Sequence, residues 1–288
     1  MRKKIPIIHM TESNAQVRVP NSLRGKSFSV ISLGACNMSC PYCFLGGNLH
    51  RNGMTFPNTK NVDIKEVFAF IDEQIEKNNP LKISGGEPTV MQSTALRIAK
   101  YIKTKGGYLC LDTSGWNPER SFQFRSYIDQ VAIDLKGPKR YVCKLTKLNI
   151  DESFYNPLKT INLYRNEAET IEIRTVVFPF TTIDDLIEIA QLIPNNAFWN
   201  LRKFVSDWTP FDTNSNSDLD IVAKDGPALI DYPKWLTAGN ENNMEKLIQQ
   251  LLVSVPTLRG RIIGLFGSPR FSNGKQGENC GNSDGILI

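Results

Sequence analysis

The sequence predicts an α/β fold: parallel strands with helices outside, curled into a partial barrel of six strand–helix units and followed by a C-terminal extension. Three observations predict it. Short apolar runs alternate with segments of helical period from about residue 27 to about residue 207. Polar or glycine-rich motifs close four of the predicted strands, and in parallel α/β architectures that rim is where sites are built. A chain of 288 residues, 41% hydrophobic and 22% charged, is also long enough for one large unit with its own core.

Ser27–Leu33 (SFSVISL) reads as a buried strand leading into a cysteine-bearing loop. Asp63–Lys77 reads as an amphipathic helix, with Ile64, Val67, Phe68, Ile71 and Ile75 on one face. A strand at Leu81–Ser84 runs into Gly85-Gly86-Glu87-Pro88, and a helix over Thr94–Lys105 stops at Gly106-Gly107. Next come a strand at Tyr108–Leu111 ending at Asp112, a helix from near Pro118, and a strand at Gln130–Leu135 ending at Lys136-Gly137-Pro138. A helix at Pro157–Arg165 and a β-branched strand at Ile171–Phe178 follow. The series closes with a helix at Ile183–Leu192, with Asp184 and Asp185 in its favourable first turn, and a strand at Ala197–Val205.

These readings divide the chain into an N-terminal segment (1–26), the barrel (27–207) and the extension (208–288). The extension opens with a polar, linker-like stretch at Asp212–Asp220. It has a predicted helix at Asn243–Val253, a strand at Arg261–Phe266 and a polar tail.

A net charge of +5 is modest, and most lysines lie singly on helical patterns, so nucleic-acid binding is not indicated. No apolar run approaches the roughly 18 residues that span a bilayer. The basic start at Met1 lacks an apolar stretch behind it, so no signal peptide and no membrane are expected, and the expected compartment is the cytoplasm. Six cysteines, three of them within eight residues, suit a metal site in a reducing compartment better than a disulfide framework.

Those three, Cys36-Asn-Met-Ser-Cys40-Pro-Tyr-Cys43, have the spacing C-x3-C-x2-C. Three thiolates suit three irons of a [4Fe–4S] cube and leave the fourth iron open to chelate a cofactor. A zinc site is the competing reading, in which His50 would have to supply the fourth ligand of a non-enzymatic zinc-binding protein. Three inert, buried thiols are the other.

The cysteine motif, the aromatic Tyr42 before its third cysteine, and the GGEP segment about forty residues downstream resemble the radical S-adenosylmethionine (SAM) superfamily. The resemblance implies a [4Fe–4S] cluster on Cys36, Cys40 and Cys43, and reductive cleavage of SAM to a 5′-deoxyadenosyl radical that abstracts hydrogen from a substrate. In that family the segment corresponding to Gly85, Gly86 and Glu87 binds the SAM amino group. The glycines would let the backbone approach the ligand and Glu87 would offer a carboxylate.

Leu111-Asp112-Thr113-Ser114-Gly115, Ile133-Asp134-Leu135-Lys136 and Ile173-Arg174-Thr175-Val176-Val177-Phe178-Pro179 resemble the LDTNG, LDLK and IRYVVVP segments of glycyl-radical-enzyme activases. The likeness spans residues 27–207, about two thirds of the chain. It implies that Asp112, Thr113, Asp134 and Lys136 surround the methionine part of SAM, with Ser114 beside them and Lys136 pairing with the SAM carboxylate. It also implies a monovalent cation between Asp112 and Asp134, and Arg174 projecting into the same cavity. The partners implied are a glycyl-radical enzyme as substrate and an electron donor such as flavodoxin or ferredoxin.

Two departures stand out: Asn200–Asp207 lacks the histidine that activases carry there, and the short activases have no counterpart of the extension. The alternative is a radical SAM enzyme acting on a small molecule or nucleic-acid base, similar to deazaguanine synthases, with Trp208, Trp235 and Phe266 capping the barrel. Cys110, Cys143 and Cys280 lie singly, which disfavours auxiliary clusters; Cys110 is expected to be a buried strand residue.

Overall fold

The computed structural model describes residues 4–16, 26–43, 45, 55–56, 59–204, 244–265 and 286–287. His50, Trp208, Trp235, Phe266, Cys280 and the stretch 212–220 lie outside them. Among the described residues no helix is long and apolar enough to cross a membrane.

Ten strands form one sheet in the order β10-β9-β8-β7-β6-β5-β4-β2-β1-β3. The six units expected from the sequence are present as β2 (Ser27–Leu33), β4 (Leu81–Gly85), β5 (Leu109–Thr113), β6 (Gln130–Asp134), β7 (Thr170–Val177) and β8 (Ala197–Lys203). These six are parallel to one another, and β9 (Ile262–Leu265) adds a seventh parallel strand beside β8. Three antiparallel strands complete the sheet: β1 (Lys4–Gln16), β3 (Lys60–Asp63) and β10 (Ile286–Leu287). The ladder therefore runs past both ends of residues 27–207.

The helices begin and end where local chemistry dictates. In α1 (Ile64–Glu76) the Asp63 carboxylate accepts from the Lys65 N–H at 3.0 Å. A 3-10 turn at Pro88–Met91 leads into α2 (Gln92–Thr104), which ends at Gly106 in the left-handed region. The short α3 (Pro118–Phe122) and α4 (Val142–Thr146) follow, and then α5 (Asn156–Tyr164), extended at its N-terminus by a π turn at Asp151–Tyr155. A Thr182–Asp185 capping box starts α6 (Ile183–Ala190), and α7 (Met244–Ser254) packs beside it.

The alternation along each strand divides the sheet into two unlike faces. One face (Ile31, Leu81, Ile83, Leu111, Ile133, Ile173, Trp199) packs on helix residues such as Val67, Ile71, Ile98, Ile161 and Ile189 in the main core. The other face carries only a small apolar patch of Phe28, Cys110 and Ala132 with Val30 and Tyr108. Its remaining positions are polar, yet Lys82, Gln130, Glu172 and Arg174 are at most 7% exposed with no helix of the main core covering them. A flat sheet would leave them in water. Their burial requires the sheet to curl around this face, hereafter the lumen.

Candidate cofactor site at the strand ends

The C-terminal ends of β2 and β4 are joined by an extension of their ladder. The Gly86 N–H donates to the Leu33 carbonyl at 2.9 Å, and the Glu87 N–H to the Ala35 carbonyl at 2.7 Å. The two glycines follow from this closeness. A Cβ on Gly86 would lie 2.1 Å from the Ala35 oxygen, and Gly85 has φ of +107°. The paired backbones also fix the start of the cysteine loop.

Within that loop Cys36 and Cys40 are buried and Cys43 is half-buried, among Met38, Phe56, Ile8 and Leu148. Burial is the main cause that pushes the Cys36 thiol up to about 12; Cys40, Glu87 and Cys43 add to it electrostatically, against a 3.4 Å hydrogen bond from the Met38 N–H. Three thiols close enough to raise one another, in an apolar pocket, favour thiolates only when metal charge compensates them. Among the described residues no three His, Cys, Asp or Glu side chains converge as the ligands of one metal ion. A cube of four irons makes no such demand, because each thiolate takes its own corner. The cysteines fit that cluster better than a lone zinc ion.

The loop is tied down at two further points. The Ser39 N–H donates to the Thr146 carbonyl at 3.2 Å, and Tyr42 sets its ring edge-on to Phe178 at 5.2 Å, in a cluster with Tyr141, Leu145, Phe180 and Phe204. Phe178 follows β7, three strands beyond β2's neighbour β4, so the loop reaches across the mouth. The buried Tyr42 hydroxyl has no hydrogen-bond partner, and Lys136 Nζ lies 6.0 Å from its ring.

Glu87 corrects an expectation. Its carboxylate is 1% exposed and accepts from Thr89 N (3.1 Å), Thr89 Oγ1 (2.6 Å), Thr113 Oγ1 (2.8 Å), Ser114 N (2.7 Å) and Ser114 Oγ (2.7 Å). Both oxygens are occupied, so the side chain ties β4 to β5 rather than offering a charge to a ligand. Thr113 and Ser114 are held in the same knot. What this segment leaves available to an amino group is backbone.

Asp112 and Asp134, expected to share a cation, each have a basic side chain beside them. Register sets Asp112 opposite Ala132 and Asp134 opposite Arg174, one step apart along the barrel. Asp112 accepts from Ser84 Oγ at 3.0 Å and Arg174 Nη2 at 2.8 Å, with Lys82 at 3.5 Å. Arg174 and Lys82 hold its carboxyl below the usual range against the opposing effect of burial. Asp134 pairs with Lys136 at 2.8 Å. Each carboxylate thus has its own cation.

Arg174 faces the lumen and is locked there between Asp112 and Glu172 (2.9 Å). The sequence reading missed the other members of this network. Glu172, held down to about 2 by Arg174 and Lys82 although burial opposes them, also accepts from Asn200 Nδ2 at 2.8 Å and Gln130 Nε2 at 3.3 Å. On the far side His9 of β1 meets Ser32 of β2 at 2.8 Å. The available signal was polar or charged side chains at alternate positions of otherwise apolar strands: Lys82, Glu172 with Arg174, and Asn200 with Arg202. Cys110 is fully buried, as expected.

A sequence model of the Radical SAM superfamily matches residues 30–193. The chain belongs to the radical SAM superfamily. It is a radical SAM enzyme, and the family's cofactors are a [4Fe–4S] cluster and SAM. The match excludes the reading of this chain as a non-enzymatic zinc protein. Among relatives, a Methanocaldococcus jannaschii protein provisionally named a glycyl-radical enzyme activating enzyme is 33% identical over 189 residues, covering 62% of this chain and 73% of that one. A 7-carboxy-7-deazaguanine synthase of the same organism is 26% identical over 175 residues, covering 58% and 70%. SuiB of Streptococcus suis bound to SAM matches in fold with a TM-score of 0.53 at 13% identity, over 80% of this chain. The chain spans 47% of the SuiB chain, so this likeness speaks for the radical SAM barrel alone.

Proposed function

We propose that this radical SAM enzyme is a glycyl-radical-enzyme activase, which takes a hydrogen atom from a backbone glycine of a partner protein. The observation carrying this reading is the 33% identity to the provisionally named activating enzyme across 73% of that protein's length. The LDTSG, IDLK and IRTVVFP segments support it from within the chain. In this reading residues 27–207 are the catalytic unit, Cys36, Cys40 and Cys43 would hold the cluster, and the ends of β4, β5 and β6 would hold SAM. The cluster's chemistry is delivery of one electron, from a donor such as flavodoxin or ferredoxin, to split a sulfonium C–S bond of SAM.

The protein's own part is positional. The Gly85 and Gly86 backbone receives the SAM amino group, and Lys136, aimed by Asp134, meets its carboxylate. Tyr42 caps the loop, Asp112, Thr113 and Ser114 shape the wall, and Arg174 holds the lumen beneath. Anaerobic incubation with SAM, reductant and a glycyl-radical enzyme from the same organism is expected to give a glycyl EPR doublet. SAM turnover without that doublet, across all such partners the organism encodes, would sink the reading.

One observation favours a second substrate class, a small polar molecule or nucleic-acid base. Below the mouth Gln130, Glu172, Arg174 and Asn200 form one hydrogen-bonded set, with Lys82 ion-paired to Asp112 beside it, a polar lining suited to a compact polar molecule. Stimulation of 5′-deoxyadenosine formation by the low-molecular-weight fraction of a cell extract, and not by its protein fraction, would select this class.

A further inference from the structure

The lumen's charges can be counted. Among the described residues Lys82, Arg174, Arg202 and Lys136 face Asp112, Glu172 and Asp134, one more cation than carboxylate in this set. Every direct ion pair in the set is accounted for: Lys82 and Arg174 on Asp112, Arg174 on Glu172, Lys136 on Asp134. Among the described residues Arg202 has no ion pair, and its buried Nε has no hydrogen-bond partner. The alternation of β8 puts Arg202 on the same face as Asn200, whose side chain bonds Glu172 in the lumen. Asn200 is 4% exposed and its Oδ1 is likewise without a partner.

Arg202 is half-buried, and a guanidinium with no direct counter-ion adds little to the stability of the fold. The neighbouring carboxylates, though attractive, are already bonded to other cations, while Arg174 repels it; burial first and Arg174 second pull the Arg202 pKa down. A guanidinium whose Nε–H is buried without a partner, and whose other donors are in no ion pair among the described residues, matches planar or tetrahedral oxyanions. The site lies on β8, five strands along the ladder from β2, and Phe204, two residues further on, shares the aromatic cluster with Tyr42 of the cysteine loop.

We infer that Arg202 is the subsite that binds an oxyanion of the substrate, a carboxylate or phosphate group, and is not part of the SAM site. The inference rests on the proposed placement of SAM over the ends of β4 to β6, and it deepens either substrate reading. The substrate enters the lumen acid group first, and that group completes the charge balance the protein leaves open.

The test uses the anaerobically reconstituted, SAM-loaded enzyme at constant ionic strength. Thermal unfolding is followed with about 20 mM inorganic phosphate, acetate or neutral acetamide, against chloride alone. We expect one or both anions to raise the midpoint by about 2 °C and acetamide to leave it unmoved. A response to phosphate alone marks a phosphoryl group on the substrate, and one to acetate alone a carboxylate. Arg202→Gln should abolish the response, unfold no earlier than the parent in chloride, and keep the SAM Kd within about twofold; Arg202→Lys should retain part of the response. The inference fails if neither anion stabilises the parent, or if Arg202→Gln responds as the parent does. It fails equally if Arg202→Gln unfolds well below the parent in chloride, which would make Arg202 structural. A SAM affinity about tenfold weaker in Arg202→Gln would give the guanidinium to SAM instead, and would leave the radical SAM reading standing.

Discussion

The two faces of the sheet are made by the same strands yet obey different rules. On the helix side Leu81, Leu111, Ile133, Ile173 and Trp199 are fully or almost fully buried among aliphatic partners. On the lumen side, one residue away along the same strands, Lys82, Glu172 and Arg174 are nearly as dry but charged, and Asp112 is 15% exposed. Burial on the first face stabilises the fold at roughly 25 cal/mol per Å² of apolar surface. Burial on the second costs desolvation that ion pairing only partly offsets. A fold that accepts that cost strand after strand keeps it for chemistry: the helix side is the scaffold and the lumen is the working surface.

Substitutions can break that division or sharpen it. The largest effect is expected at the mouth. Cys36→Ser should abolish 5′-deoxyadenosine formation and the cluster's visible absorption, while the cluster-free protein keeps its unfolding midpoint. A chain that turns over SAM without Cys36 would remove it from the proposed ligands. Next, Ile133→Ala on the helix side should cost about 2–5 kcal/mol in urea unfolding and leave turnover per folded molecule intact. Loss of turnover at unchanged stability would mean the two faces are not separate in function.

The smallest effect is a pH dependence. Burial holds His9 down to about 4, below the usual histidine value near 6.5. The unfolded chain therefore takes up a proton before the native one. This contribution to stability is complete above pH ~6.5 and falls away as pH drops toward 4, by about 3 kcal/mol at most. Asp112 and Glu172, whose carboxyls are held down by their cationic partners, act in the same direction but only below pH ~4.5. Urea midpoints between pH 7 and pH 4.5 should fall in the parent and stay flatter in His9→Gln. Parallel curves would show that His9 does not carry the effect.

The helix side was legible in the sequence because its signal is local. The predicted strand Ser27–Leu33 coincides with β2, and the apolar stripe Ile64, Val67, Phe68, Ile71 and Ile75 does lie on one face of α1 against the core. What escaped was set by pairing. The four residues of β3, largely exposed, have no pattern of their own and are strand only because Lys4–Ile7 lies beside them. In β1 a proline and a polar second half hide a strand that exists through its ladder to β2.

The site divides likewise. The cysteines and strand-end motifs were visible as motifs. The saturation of Glu87, and the separate partners of Asp112 and Asp134, depend on which side chains meet across strands, which spacing along one chain does not encode. His9, Lys82, Glu172, Asn200 and Arg202 went unnoticed because a polar residue inside a strand ordinarily reads as a solvent-facing one.

The edges of the sheet have a consequence for handling the protein. An open curl of parallel strands presents unpaired N–H and C=O groups at both rims, a template for joining other chains. Here one rim ends in the four residues of β3 and the other in the two residues of β10, both antiparallel and too short to seed a ladder. A truncation that removes β1 would strip β3 from the sheet as well and leave the whole edge of β2 bare. Such a chain would keep every cysteine and every SAM-facing residue named above, and would be lost to precipitation before any of them could be assayed.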